Sequence, residues 1–336
     1  MYLKELCELN GVSGDEGTVR SFIEEKITPY ADSVHTDNIG NLIAFRKGSI
    51  HKKVMISAHM DEVGFIVSKI TDDGYLKFKE VGGIDPRVIV SKRVKIGKDG
   101  IDGIIAQKAI HLQSREERGK VAPVDSLFID IGASSKEEAE KKASLGDYVS
   151  FCTKYAETGG KVKAKALDDR VGCSILIDII QEKNLYDTYY VFGAQEEVGL
   201  RGAAVYAYNL KPDIALVLEG TTCSDVHGAK EHEYVTVCGG GAAVSFMDRT
   251  SIVNRRYHKW LYETAEKEGI SVQYKRTTAG GNDAGRIHRI KDGILTASLS
   301  VPCRYIHSPV SVASLSDIDA VRSLTKIFTQ RWEEIL

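Results

Sequence analysis

Histidines and acids recur where predicted strands of this chain give out. His59 and Asp61 follow KVMIS, Asp168 and Asp169 sit in KALDDRVG, Glu196 and Glu197 follow YYVFGAQ, Glu219 follows IALVL, and His307 follows SVPCRYI. In an open α/β sheet, ligands bind beyond the carboxyl ends of the strands, so residues far apart in sequence can converge there. Two imidazoles with several carboxylates suit zinc or a similar divalent ion. The set holds one acid more than a single ion requires. That surplus points to a two-metal site, in which a carboxylate and a water bridge ions roughly 3.5–4 Å apart.

Each feature also has a purely structural reading. His59 alone is equally well read as a buried, hydrogen-bonded histidine. Asp168-Asp169 ahead of a helix can cap it by accepting free N–H groups. Glu196-Glu197 is harder to explain that way, because adjacent acids after a buried strand repel and need a cation or a proton. Asp61, two residues from His59, suits a carboxylate that accepts the second imidazole N–H and fixes the tautomer; the alternative is an exposed turn acid. Competing motifs are missing: there is no HExxH, no GxxxxGK[ST], no strand-linked GxGxxG and no GxSxG. Gly239–Gly241 reads as a strand end, and the charge run from Arg115 to Arg118 as a solvated face. Arg249 and Arg286 are read as solvated surface.

The elements that must position these residues follow from periodicity. Apolar spacing between Leu3 and Tyr30 predicts two short helices around a turn, and SVHTDNIGNLIAF predicts a hairpin. From Phe65 to Lys163, short alternating runs between Gly, Asp and Asn turns predict a small all-β unit with one charged helix near Ser135–Ser144. After Lys163, strands and helices alternate. The last helix, SLSDIDAVRSLTKIFTQRWEEI, has Ser316 as its expected N-cap. This alternation predicts an α/β sheet covered by helices on both faces, interrupted by the β-rich unit.

Composition narrows the class further. At roughly 150 residues per domain, 336 residues suggest about two domains. The chain is 43% hydrophobic and 27% charged, which excludes a disordered or collagen-like chain. Its net charge of −2 argues against a broad nucleic-acid binder. Six scattered cysteines without a CxxC pair read as reduced thiols. With no signal-like start and no apolar run near ~18 residues, the expectation is a cytoplasmic protein without a membrane span.

The motifs AHMDEVG (58–64), ALDDRVG (166–172), QEEVGLRGA (195–203), LEGTT (218–222), GGNDAG (280–285) and RYIHSPVSV (304–312), with SGDE (13–16) and DNIGN (37–41), resemble those of the tetrahedral aminopeptidases. These are co-catalytic metallopeptidases that include glutamyl aminopeptidases and proteins labelled endoglucanases. The resemblance spans essentially the whole chain. It implies a mixed-sheet α/β/α zinc-peptidase-like catalytic domain at 1–64 and 164–336. A β-barrel-like dimerisation domain would be inserted at 65–163, with dimers assembling to a dodecamer. Peptides would be the substrates, and two zinc or cobalt ions the cofactors. Asp168 matches the bridging carboxylate, with His59 and Glu219 on one ion and Glu197 and His307 on the other. Glu196 matches the general base and Asp61 the partner of His59. The implied reaction is attack of a metal-bridged hydroxide on the amide at a free amino terminus; deacylation of small N-acyl substrates is the alternative. The family varies between Asp and Glu at the position of Glu219, and Asn282 stands where many members carry Thr.

Overall fold

Uninterrupted apolar strands need cover on both faces, and this chain supplies it by placing one sheet between two helical layers. The computed structural model describes residues Met1–Leu336. Helices Leu3–Glu8 and Gly17–Ile27 precede strands β1 (Ser33–Thr36), β2 (Leu42–Arg46) and β3 (Ile50–His59). Then come β4 (Gly64–Ile70), β5 (Leu76–Val81), β6 (Arg93–Ile96), β7 (Ile101–Ala106), β8 (Phe128–Asp130) and β9 (Tyr148–Phe151). Strands β10 (Ala156–Thr158) and β11 (Lys161–Ala164) lead to helix Leu167–Ile179. Next are β12 (Tyr186–Gly193), helix Arg201–Leu210, β13 (Ile214–Thr222), β14 (Ala242–Val244), helix Arg255–Lys267 and β15 (Val272–Tyr274). Helix Ala284–Ile287, β16 (Leu295–Arg304), β17 (Ser311–Ser314) and helix Leu315–Arg331 complete the regular elements.

The large sheet runs β1-β2-β12-β3-β13-β16-β17-β11-β10, with β14 attached at β16 and β15 at β14. Its central strands β12, β3, β13 and β16 are parallel, whereas β2 and β17 pair antiparallel to them. The sheet is therefore mixed, and four strands deliver their carboxyl ends to one edge. Alternation along β3 fixes the layers. Val54, Ile56 and Ala58 pack with helices Leu167–Ile179, Arg255–Lys267 and Leu315–Arg331, while Met55 points the other way, toward Arg201–Leu210 and Ala284–Ile287. Helix Arg255–Lys267 illustrates the local logic. The Asn254 side chain caps it by accepting from Arg256 N at 2.9 Å, and Tyr257, Trp260, Leu261, Thr264 and Ala265 form its buried stripe.

Strands β4-β5-β8-β7-β6-β9 close into an antiparallel barrel with its own core. Phe65 sits at its centre, edge-to-face with Phe78 at 4.9 Å and Phe151 at 5.5 Å between ring centroids. The hairpin at β1–β2 pairs Ser33 with Phe45, and Ser135 caps the charged helix Lys136–Glu140. Strands β10 and β11 pair in the large sheet, next to β17. The last helix starts one turn position earlier than expected. Ser314, at the end of β17, is the N-cap, and its hydroxyl lies 2.8 Å from that of Ser316. No helix is long and apolar enough to cross a membrane.

Truncation of Phe65 removes the ring that both neighbours pack on. Phe65→Ala should cost about 3–5 kcal/mol, and hydrogen exchange should rise within the barrel strands before the large sheet. Unchanged protection in β4 and β9 would show that the barrel does not depend on this ring.

Candidate metal centre

The parallel strands bring every sequence-selected residue to one edge. His59 is the last residue of β3, Glu196 and Glu197 follow β12, Glu219 lies within β13, and His307 follows β16. Asp168 and Asp169 follow β11 at the entrance to helix Leu167–Ile179, where their backbone is not yet helical and their shared peptide bond is cis. Asp168 stands between the two histidines. Its Oδ1 is 3.4 Å from His59 Nε2, and its Oδ2 is 3.7 Å from His307 Nε2. Glu219 Oε2 is 3.7 Å from His59 Nε2, and Glu197 Oε2 is 3.3 Å from His307 Nε2.

The adjacent aspartates divide the two readings of their motif. Asp169 caps the helix: its Oδ1 accepts from Gly172 N at 3.0 Å, and its Oδ2 from His59 N at 3.3 Å. Asp168 is turned toward the histidines. Two compact sets of potential ligand atoms result, His59-Asp168-Glu197 and His59-Asp169-Glu219, each within 4.8 Å. His307 belongs to neither set, although it lies beside both Asp168 and Glu197.

Both imidazoles are oriented by carbonyl oxygens, which can only accept. His59 Nδ1 donates to the Asp61 main-chain oxygen at 3.1 Å, nearer than the Asp61 carboxylate at 3.4 Å. His307 Nδ1 donates to Gly83 O at 3.1 Å, across from the barrel loop between β5 and β6. In each case Nε2 is the nitrogen turned to the acids. Asp61 does more than face His59. Its carboxylate accepts from Ser13 Oγ (2.6 Å), Glu196 N (3.0 Å) and Glu197 N (3.1 Å), so it pins the turn that carries both glutamates. Glu16 assists by accepting from Gln195 N at 3.2 Å.

Electrostatics make these acids poor anions within the protein alone. Burial pushes the pKa values of Glu196, Glu219 and Asp169 well up, and that of Glu197 up to about 7. Burial opposes charge on His59, but Asp168 and Asp61 outweigh it and raise its pKa. Glu219 Oε1 is buried without a hydrogen-bond partner. An orphaned carboxylate oxygen beside an imidazole, in an oxygen- and nitrogen-rich set, fits a divalent cation, which would favour the ionised acids.

Several contributors carry no motif signal. Gly220 lets β13 approach Asp168; a methyl there would meet Asp168 Cα and Cβ at 2.9 Å. The Gly83 carbonyl belongs to a different domain-scale unit, and no side chain marks it. Tyr206 OH donates to Asp283 Oδ2 at 3.0 Å behind the site, where burial raises Asp283 to about 6. Beside the acids opens a groove of about 760 Å³ that also contains Arg249 and Lys275. Arg249 is exposed there, with no ion pair.

A model of the M42 glutamyl aminopeptidase family matches residues 40–324. The chain belongs to that family. Lysyl aminopeptidase of Pyrococcus furiosus is 31% identical over 336 residues, covering 96% of this chain and 94% of the relative. A TET aminopeptidase from a marine sediment archaeon of the Thaumarchaeota superposes with a TM-score of 0.95 at 36% identity, over 99% of this chain and 96% of that one. The Pyrococcus horikoshii TET1 peptidase, described as assembling into a tetrahedron or a large octahedral shell, superposes with a TM-score of 0.86 at 34% identity, over 98% of each chain. The M42 chain is thus a peptide hydrolase of a metal-dependent aminopeptidase family.

Gly220→Ala should shift Asp168 and lower turnover of an aminoacyl substrate about 10- to 100-fold, since small misplacements of reacting groups cost that much. Kinetics on a variant shown to be folded by circular dichroism checks this. A wild-type rate would mean that β13 need not approach Asp168 so closely.

Proposed function

We propose that this chain is an aminopeptidase that releases single residues from the amino ends of short peptides, using two divalent cations, zinc or cobalt. The observation that carries the reading is Asp168 offering one carboxylate oxygen to each histidine, at 3.4 Å and 3.7 Å. His59, Asp168 and Glu219 would hold one cation, and Asp168, Glu197 and His307 the other. Bound there, the cations would supply Lewis acidity toward a water and the scissile carbonyl.

The chain's own groups do the rest. Asp61 and the Gly83 carbonyl keep the imidazole protons on Nδ1, so that Nε2 faces inward. Asp61 also fixes the turn bearing Glu196, the carboxylate left outside both ligand sets. Glu196 takes the proton of the attacking water and passes it to the departing amine. Its burial supports this role, because a raised pKa brings a carboxylate nearer the working range of a proton shuttle. Six free cysteines suit a reducing compartment, so we assign the enzyme to the cytoplasm.

We also infer self-association through the barrel unit inserted at 65–163, between the catalytic segments 1–64 and 164–336. Ile104, Ile110 and Leu112, on β7 and the loop after it, are 50%, 69% and 63% exposed. Apolar side chains this exposed support an interface, with dimers building a dodecamer. Light scattering should report that assembly, and Ile110→Asp with Leu112→Asp should reduce it to smaller species; a monomeric wild type would reject this role.

The test of the reaction is chelation followed by zinc or cobalt add-back, with aminoacyl p-nitroanilides set against N-acetyl amino acids. Metal-restored release of p-nitroaniline is the expected result; cleavage confined to the N-acetyl compounds would identify a deacylase instead. Glu196→Gln should retain its metal while losing about 10²–10⁴-fold in kcat. His307→Ala should lose part of the bound metal by elemental analysis. Near-wild-type turnover in the first variant would remove Glu196 from the base role.

A further inference from the structure

The family model is named for glutamyl residues and a 31%-identical relative for lysyl ones, so membership leaves the preferred first residue open. The groove beside the acids has to settle it. Lys275 lies immediately after β15, held by its backbone N donating to Val244 O at 3.0 Å. It is only 9% exposed, yet its ammonium makes no ion pair and donates no hydrogen bond within the chain. The groove's acids, Asp168, Glu196, Glu197 and Glu219, do not pair with it either. A charged amine this buried is costly without a partner, and an anion entering the groove is the partner the surroundings lack.

We propose that Lys275 selects substrates whose first residue carries a side-chain carboxylate, glutamate or aspartate. This rests on the aminopeptidase reading above and names its substrate class. Three features of the groove favour that occupant over others. Its apolar lining is limited to Leu200, Val235, Ala279 and Ile306, too little for a pocket built around a large hydrophobic side chain. A basic first residue would bring a second cation toward Lys275 and Arg249 in the same groove. The carboxyl terminus of the substrate is also a poor partner. An exopeptidase registers its substrate at the amino end, so the far carboxylate moves by about 3.5 Å with each added residue. Only the first side chain is presented to a buried cation at a constant distance.

The experiment compares kcat/KM for glutamyl, aspartyl, glutaminyl, leucyl and lysyl p-nitroanilides in the metal-loaded enzyme and three variants. Glutamyl and glutaminyl substrates differ only in the charge at issue. Wild type should favour the glutamyl substrate about 10- to 100-fold, the range for a charge-assisted hydrogen bond. Lys275→Met should erase that ratio, Lys275→Arg should largely retain it, and Lys275→Glu should shift preference toward the lysyl substrate. Calorimetric binding of free L-glutamate against L-glutamine, which needs no turnover, should follow the same order. A glutamyl-to-glutaminyl ratio near one in wild type, or one untouched by Lys275→Met, overturns the proposal. So does a Lys275→Met effect that appears only between a dipeptide and its carboxamide, which would assign the lysine to the substrate's carboxyl terminus. If no anilide is cleaved but L-glutamate binding depends on Lys275, the peptidase reading fails while carboxylate recognition stands; absence of both removes the two together.

Discussion

Carboxylates cannot be crowded together in a buried place as anions without something positive between them. Asp168, Asp169, Glu196, Glu197 and Glu219 meet at one edge of the sheet, where burial drives up the pKa of all but Asp168 among the shifts resolved. The architecture follows from bringing them there regardless. Four parallel strands must end together, the backbone must come close at Gly220, and Asp61 must gather the N–H groups of Glu196 and Glu197. A chain that spends this much structure on mutual repulsion implies cations to relieve it.

A second buried charge cluster braces the first. Lys165 Nζ lies 2.5 Å from Glu62 Oε1, and that same oxygen accepts from Gly11 N at 3.0 Å. Arg170 donates to Met60 O at 2.8 Å and to Leu6 O at 2.5 Å. Residues 60–62 flank His59, and residues 165–170 flank Asp168. The cluster therefore ties the N-terminal helix, the end of β3 and the aspartate segment into one unit. Buried ion pairs add little net stability but penalise any arrangement that leaves one partner alone. Here that penalty falls on movement of His59 relative to Asp168.

What could be read from sequence was what has a period or a repeated chemical type. Strand ends carrying His or paired acids, the hairpin at Asn38–Gly40, and the alternating texture after Phe65 all carry such signals. Alternation does not say which sheet a strand joins, so β10 and β11 look the same in sequence whether they pair with the barrel or with β17. Neither does it locate a cap to the residue: Ser314 and Ser316 present the same side chain two positions apart. Asp168-Asp169 was ambiguous because one aspartate caps and the other does not, a distinction set by backbone direction. Lys275 was invisible for a different reason. A single lysine between an aromatic strand and an arginine has no pattern, and its isolation exists only once the groove has formed around it.

The hydrogen bond from His307 to Gly83 O joins two parts of the chain that are otherwise separately folded units with separate cores. A backbone carbonyl cannot be mutated away by changing a side chain, so this contact is insulated from most point substitutions. It is not insulated from changes of loop length. An insertion or deletion between β5 and β6 would leave every ligand in place and still release one imidazole. In the history of such a chain, the barrel could vary freely in its surface and even its core, while the few residues around Gly83 would stay as fixed as the ligands themselves.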